Sequence, residues 1–350
     1  MKTDGELTIS VDGTKVVGWT NIEVTLRAEG FPNSFSIAAS SHEPAEPILR
    51  AGAACTVMLG DDLVITGYID RDTVSGGADT HGIQLTGRGK TQDMVDCSAE
   101  WPSGQLTNVD ALTIAKTLAL PYGIEVALGE GASAGGNVPQ WLLNYGETSA
   151  EIIQRVARNA GLLAYEDAKG RLLLATVGAT KAASGVVYGE NVEQWSVENS
   201  VDGRYSRIVC CGVSMDTFGD LGGNTFFHEE NDPYVTRPRL MYMVVENVAD
   251  DPREFTEKKA RWEIARRAGR ASMLRATVDC WRDSASTLWT PNTLVPAKLP
   301  GNRTAGPFVL SEVTFRRNDQ TGTTADLVLM PPAAFTPEPI VLTPINTADF

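Results

Sequence analysis

Apolar and polar residues alternate over most of the first ninety positions. Leu7, Ile9 and Val11 alternate with polar neighbours, Asp12-Gly13 supplies a turn, Val16-Val17 runs to Trp19, and Ile22, Val24 and Leu26 alternate again. A period of two residues is the signature of a half-buried strand. The pattern continues through Phe35-Ser36-Ile37, Cys55 to Leu59, Leu63 to Ile69, and Ile83 to Leu85, with turns at Gly60-Asp61-Asp62 and Ser75 to Ala78. Short strands at this density predict a small antiparallel barrel or sandwich, assigned to residues 1–95.

The period then lengthens. Asn108 is positioned to cap a helix carrying Leu112, Ala115, Leu118 and Ala119 on one face, stopped by Pro121 and Gly123. A Gly-rich loop spans 129–136. Thr148 and Glu151 have capping-box spacing for a second helix, with Ile152, Ile153, Val156, Ala157 and Ala160 on one side and Gly161 at its end. Leu162 to Tyr165 and Arg171 to Leu174 read as a hairpin, so residues 96–185 are expected to form a small α/β unit. From about Gly189 the chain returns to strands, at Arg207 to Cys210, Met241 to Val245 and Leu274 to Val278, interrupted by a long helix over 251–270 with Pro252 in its first turn. Residues 186–335 are read as a second β-barrel with that helix inserted, and 336–350 as an extended Pro-rich arm.

A gapless shift of 244 positions lays Val64-Ile65 on Phe308-Val309, Ile69 on Val313, the loop 75–80 on 319–324, and Ile83 and Leu85 on Leu327 and Leu329. Unrelated amphipathic hairpins also match in this way. The alternatives are therefore chance and two similar barrels in one chain. The predicted fold class is mainly β with α+β insertions: two similar small antiparallel barrels plus a small α/β unit.

Charge narrows the function. The formal net charge is -14, which opposes condensation on nucleic acid or anionic lipid. The stretch from Leu106 to Leu128 is broken by Asp110, Lys116 and Pro121, and the start of the chain lacks the pattern of a signal peptide. Direct membrane insertion is not expected. The odd set of five cysteines without C-x-x-C spacing suggests neither zinc nor a disulfide framework, and synthesis in a reducing cytoplasm is the expectation. Cys210 and Cys211 read as small buried hydrophobes on opposite faces of a strand.

Candidate chemistry is sparse. Gly131-Ala132-Ser133-Ala134-Gly135 matches the spacing of a nucleophile elbow, but Gly136, Asn137 and Pro139 follow where that motif needs a helix. Gly87-Arg88-Gly89-Lys90-Thr91 resembles the end of a phosphate loop, but Gln84 occupies the required first glycine position. It reads instead as a strand exit into a short helix near 92–95. His42, His81 and His228 are isolated, and no acidic pair stands out for glycoside hydrolysis. No catalytic, metal or cofactor residue is predicted.

The sharpest electrostatic feature is the late helix. Residues 251–275 hold eight Lys or Arg against four Asp or Glu, leaving the remainder at -18, while Phe255, Trp262, Ala265 and Gly269 read as its apolar stripe. A solvated face is one reading. Docking on an acidic neighbour is the other, with Lys259, Arg261, Trp262, Arg266, Arg267 and Arg270 as candidate interface residues.

At Trp281-Arg282-Asp283 and Leu288-Trp289-Thr290-Pro291-Asn292-Thr293-Leu294-Val295-Pro296, the sequence resembles the baseplate hub proteins of Mu-like contractile-tailed phages. Agreement extends in order through Gly18-Trp19, Thr66 to Asp70, Gly87 to Thr91 with Asp96-Cys97-Ser98, Gly146-Glu147-Thr148, Ala260 to Glu263 with Arg266 to Arg270, and Pro331 to Phe335. The resemblance implies a trimeric pseudo-sixfold ring that joins the tail tube to a membrane-piercing spike. Its implied partners are copies of itself, the central spike protein, the tail tube protein and other baseplate proteins, with phage DNA passing transiently and without specific binding. Location in the virion follows, after assembly in the host cytoplasm. The family supplies no catalytic motif. The related spike base of a contractile secretion system is the near alternative, and a tail-associated peptidoglycan hydrolase is the alternative from another class.

Overall fold

The computed structural model describes residues 5–41, 49–77, 81–178, 180–214, 225–247 and 252–336. The first region contributes β1 (Leu7–Val11), β2 (Thr14–Val16), β3 (Asn21–Arg27), β4 (Ser34–Ser41), β5 (Ala54–Leu59), β6 (Asp62–Gly76) and β7 (His81–Gly89). Alternation becomes burial directly: β1 shows inward Leu7, Ile9 and Val11. Asp12 and Gly13 both take positive φ, at 49° and 80°, in the two-residue loop that pairs Val11 with Thr14. Left-handed residues at both positions match the loop to strand twist.

The middle unit comprises α1 (Gln92–Asp96), β8 (Gln105–Val109), α2 (Ala111–Ala119), β9 (Val126–Leu128), β10 (Val138–Leu142), α3 (Ser149–Asn159), β11 (Leu163–Glu166) and β12 (Leu172–Ala175). Asn108 is not the cap of α2. It turns the chain at φ 51°, and Asp110 caps instead by accepting from the Thr113 amide at 2.7 Å. The capping box of α3 forms in both directions, Thr148 N to Glu151 Oε2 at 2.8 Å and Glu151 N to Thr148 Oγ1 at 3.2 Å. The β11–β12 hairpin gains β9 as a parallel third strand, and Ile114, Leu118, Ile152, Val156 and Leu174 lie in a core distinct from that of the large sheet.

The last region holds β13 (Thr180–Lys181), β14 (Val186–Val187), β15 (Val192–Asn199), β16 (Arg207–Ser214), β17 (Thr225–Asn231), β18 (Leu240–Asn247), α4 (Pro252–Arg270), β19 (Ser272–Val278), β20 (Thr293–Lys298), β21 (Pro307–Asn318) and β22 (Gly322–Met330), then a 3-10 turn Pro332–Phe335. The main path of the largest sheet runs β15-β19-β22-β21-β3-β4-β7-β6-β5-β1-β2, with β20 on β21 and β13 and β14 on β20. The two β regions thus meet edge to edge where β21 pairs with β3, Val313 opposite Leu26 and Phe315 opposite Val24. They also share one apolar core containing Ile9, Ile22, Ile37, Ile65, Phe308, Phe315 and Leu327.

Two sequence expectations change in detail. Strands β16 to β18 do not join the large sheet. They form a separate layer, β17-β16-β18, on which α4 packs through Ala260 against Ile208, Cys210 and Val245. The repeat also shifts. Both β6–β7 and β21–β22 are antiparallel hairpins with a bulge in the first strand, beside Ile69 in one and beside Leu310 in the other, so bulge matching aligns Ile69 with Leu310 rather than with Val313. Cys210 is buried and its thiol is pushed up to about 11 chiefly by burial, whereas Cys211 is half-buried on the other face. Of the proposed C-terminal arm, all but Thr336 lies outside the described residues, as does His42.

Three buried polar residues lock the units together. Arg282 extends back to the first region, where its NH2 donates to the Leu59 carbonyl at 3.3 Å and its NH1 pairs with Asp62 at 2.6 Å. Asn292, held at φ 64°, accepts from the Gly178 amide through Oδ1 and donates to the Thr176 carbonyl through Nδ2, both at 2.8 Å. Glu166 on β11 accepts the amides of Asn33 and Thr91 at 2.9 Å each, and burial pushes its carboxyl up to about 7 despite those bonds. Gly89 makes room for it, since a Cβ there would lie 1.8 Å from Oε2.

Candidate interaction surface on α4

α4 turns Thr256, Ala260, Glu263 and Gly269 inward, while Ala265 is exposed and Trp262 only half-buried. Of the expected stripe Gly269 faces inward and Ala265 does not: Ala260 and Gly269 sit where β16 and the 3-10 turn come close, and inward Glu263 is held by Arg267. Gly269 shows the constraint most sharply: a Cβ would stand 2.3 Å from the Ala334 amide nitrogen. The side chain of Phe255 lies outside the described residues.

The six candidate residues separate into two groups. Arg261, Arg267 and Arg270 find acidic partners within the chain. Arg261 Nε is 3.1 Å from Glu230 Oε1 on β17, and its NH2 also reaches Glu257. Burial works to raise the Glu230 carboxyl, but the hydrogen bonds from His228 and Arg261 outweigh it and hold that group below the usual range. Arg267 binds the buried carboxylate of Glu263, donates to the Gly203 carbonyl at 2.8 Å and stacks 5.2 Å from the Tyr205 ring. It acts as an internal strut. Arg270 reaches Glu29 just past β3 and lies 6.0 Å from the Phe335 ring, tying α4 to the first β region.

The second group clusters on one aromatic ring. Lys259 Nζ and Arg266 Cζ lie 4.8 and 5.4 Å from the Trp262 ring, while Trp262 Nε1 donates to the Thr336 carbonyl at 2.8 Å. These cation–π contacts and the indole hydrogen bond hold the Trp262 ring and its basic neighbours in place. Sequence reading missed Glu29, Glu230 and Arg158, which sit far from the helix in the chain and carry no local motif. Only the close return of β3, β17 and α3 brings them to it.

The rejected motifs are structurally accounted for. Ser133 sits in an exposed loop that leads to strand β10 with no helix after it, its hydroxyl accepting from the Gly135 amide at 3.4 Å. Gly87 and Gly89 end β7 and Thr91 precedes α1, with Lys90 Nζ donating to the Gly123 carbonyl at 2.6 Å. Among the described residues, no three His, Cys, Asp or Glu converge as metal ligands, and no helix is long and apolar enough to cross a membrane.

The chain is thus largely β, with two sheet regions fused edge to edge, a separate α/β unit and a basic helix tied to the first region through Arg270. Three domain models match in chain order: Mu phage baseplate assembly protein GpP-like, N-terminal, over 6–89; baseplate hub protein gp44-like, second domain, over 91–176; and Mu phage baseplate assembly protein GpP, fourth domain, over 253–338. All three matched segments resemble domains of baseplate hub and assembly proteins such as those of phage Mu. It is similar to baseplate hub protein gp44 of Escherichia phage Mu, 29% identical over 343 residues that cover 94% of this chain and 88% of the relative. Among solved structures, the 43 kDa tail protein of prophage MuSo2 from Shewanella oneidensis is 29% identical, with a TM-score of 0.83 over 96% of this chain and 99% of that one. The E. coli c3393 protein, a component of the type VI secretion system, shares the fold at 12% identity, with a TM-score of 0.59 over 95% and 79% of the two chains. The homologues are structural hub proteins, not enzymes.

Proposed function

We propose that this baseplate hub forms a trimeric, pseudo-sixfold ring joining the tail tube to the spike. The observation that carries the reading is the edge-to-edge junction of β3 with β21, which gives each chain two bulged-hairpin regions on one sheet and one core. Three such chains present six related elements to a sixfold tube and three equivalent surfaces to a threefold spike. In this reading residues 1–95 and 186–335 are the two barrels, 96–185 decorates the rim, and 336–350 is an arm. The α4 ridge formed by Lys259, Arg261, Trp262, Arg266, Arg267 and Arg270 seats against acidic surface of its own chain and of a neighbour.

The partners are further copies, the central spike, the tube and other baseplate proteins. Support for the spike comes from a shared fold with the Francisella PdpA-VgrG complex, at 9% identity and a TM-score of 0.60. DNA passes without specific binding, because a net charge of -14 per chain is multiplied by three in the ring. Assembly takes place in the host cytoplasm. Light scattering on purified protein, alone and mixed with the spike protein, tests the ring: a trimer is expected, and a monomer in both samples overturns it. The fold shared with c3393 also favours a second reading as the spike base of a contractile secretion system. Neighbouring genes for capsid and tail proteins would decide for the phage.

A further inference from the structure

A cleft of about 330 Å³ opens where α4 meets the end of α3, the start of β11 and the 3-10 turn. Its charged lining is Arg158, Arg266, Arg270 and Glu29, an excess of two positive charges. Glu29 is already engaged by Arg270. Arg266 has a ring contact with Trp262 and no ion pair among the described residues. Exposed Arg158 has none either, its NH2 donating to Gln154 Oε1 at 3.4 Å. Burial, then the Arg270 and Arg158 charges, lower the Arg266 pKa against the opposing pull of Glu263 and Glu29. Such crowding of like charges in a partly desolvated recess is relieved by an anion.

We propose that this cleft receives a single glutamate side chain from an extended, otherwise uncharged segment of another protein chain in the tail assembly. Arg266 and Arg158 hold the carboxylate by charge-assisted hydrogen bonds, and Trp262 packs against the methylene stem of the incoming residue. The Arg270–Glu29 pair on the same cleft wall shows the mode of recognition already in use. A carboxylate fits better than a phosphate for two reasons. Glu29 in the cleft wall repels a dianion more than a monoanion, and the chain's charge of -14 repels a polyphosphate at a distance. The inference rests on the hub reading, which supplies the neighbouring chain.

The test uses the full-length protein and a fluorescent, end-blocked peptide Gly-Leu-Glu-Leu-Gly, followed by anisotropy at low salt beside its Gln counterpart. Saturable binding of the Glu peptide alone is expected. Arg266→Gln and, separately, Arg158→Gln should each weaken it about tenfold or more, with Arg266→Lys intermediate. Matching circular dichroism and melting temperatures exclude unfolding as the cause. Equal binding of the two peptides, or unchanged binding in the double variant, overturns the proposal. Displacement by an equal concentration of inorganic phosphate or of a short single-stranded DNA overturns it in favour of a phosphate site. Binding that appears only after removal of residues 337–350 overturns it in favour of the chain's own segment. Light scattering on the same samples separates the two readings: a trimer that ignores the peptide defeats the cleft alone, and a peptide-binding monomer defeats the ring alone.

Discussion

Glu166→Gln tests how the α/β unit is fastened to the first β region. Native Glu166 is 4% exposed, and its two carboxylate oxygens accept the Asn33 and Thr91 amides. Its carboxyl titrates near 7 in the folded chain against an ordinary value of 4.5. Between those two pH values the folded chain holds a proton that the unfolded chain has released. Stability from this group is therefore present in full below about pH 4.5 and falls as pH rises towards 7. At about 1.4 kcal/mol for each pH unit between the two values, the loss across that window is about 3 kcal/mol. Glutamine cannot ionise, so the variant lacks this slope, while its amide nitrogen faces one of the two N–H donors and costs about 1–3 kcal/mol at every pH. Urea unfolding of both proteins at half-unit steps from pH 4.5 to 8 measures the contrast, and subtracting one curve from the other cancels the remaining carboxylates. Parallel curves would rule out a buried proton at this site. So would a difference that favours the parent increasingly as pH rises.

The remaining expectations address the other fastenings. Gly89→Ala places a methyl inside the Glu166 carboxylate and should lower stability by at least about 2 kcal/mol in the same unfolding experiment. Arg282→Met removes the buried donor to the Leu59 carbonyl and the partner of Asp62, and a loss of about 2–4 kcal/mol in thermal or urea unfolding is expected. Thr148→Ala breaks the capping box of α3 at a cost of about 1 kcal/mol, read as a small drop in melting temperature. In the proposed ring, lysine substitutions on the channel wall should slow DNA ejection measured by dye uptake, and unchanged kinetics would count against an electrostatically repelling channel.

Local chemistry made much of the fold legible. The capping box at Thr148 and Glu151, the Asp12-Gly13 turn and the alternating strands all involve neighbours within a few positions, and all appear in the structure. Misplacements were local competitions as well: Asp110 outcompeted Asn108 for the cap because its carboxylate reaches the third amide of the helix. The Trp281 to Pro296 stretch pointed to the family, but its physical role depended on distant groups. Trp281 Nε1 donates to the carbonyls of Arg316 at 3.0 Å and Thr324 at 2.9 Å, and Arg282 crosses to β5 and β6.

The α4 ridge divides along the same line. Its excess of positive charge and its Trp262 could be read from a helix-length window, because side chains three and four apart share a face. Which cations are spent inside the chain could not, because Glu29 lies 241 positions before Arg270 and Glu230 lies 31 before Arg261. Short-range pattern and composition were enough to define the strands of the first region, helices α2 to α4, the charge balance and the resemblance, but not β8 to β10, β15 or β17. Tertiary packing alone set the fusion of the two regions through β3 and β21, the separate layer of β16 to β18, and the exposure of Arg266 and Arg158 to a cleft. Those outcomes depend on which faces meet after long loops close, and backbone pairing carries no label for its distant partner.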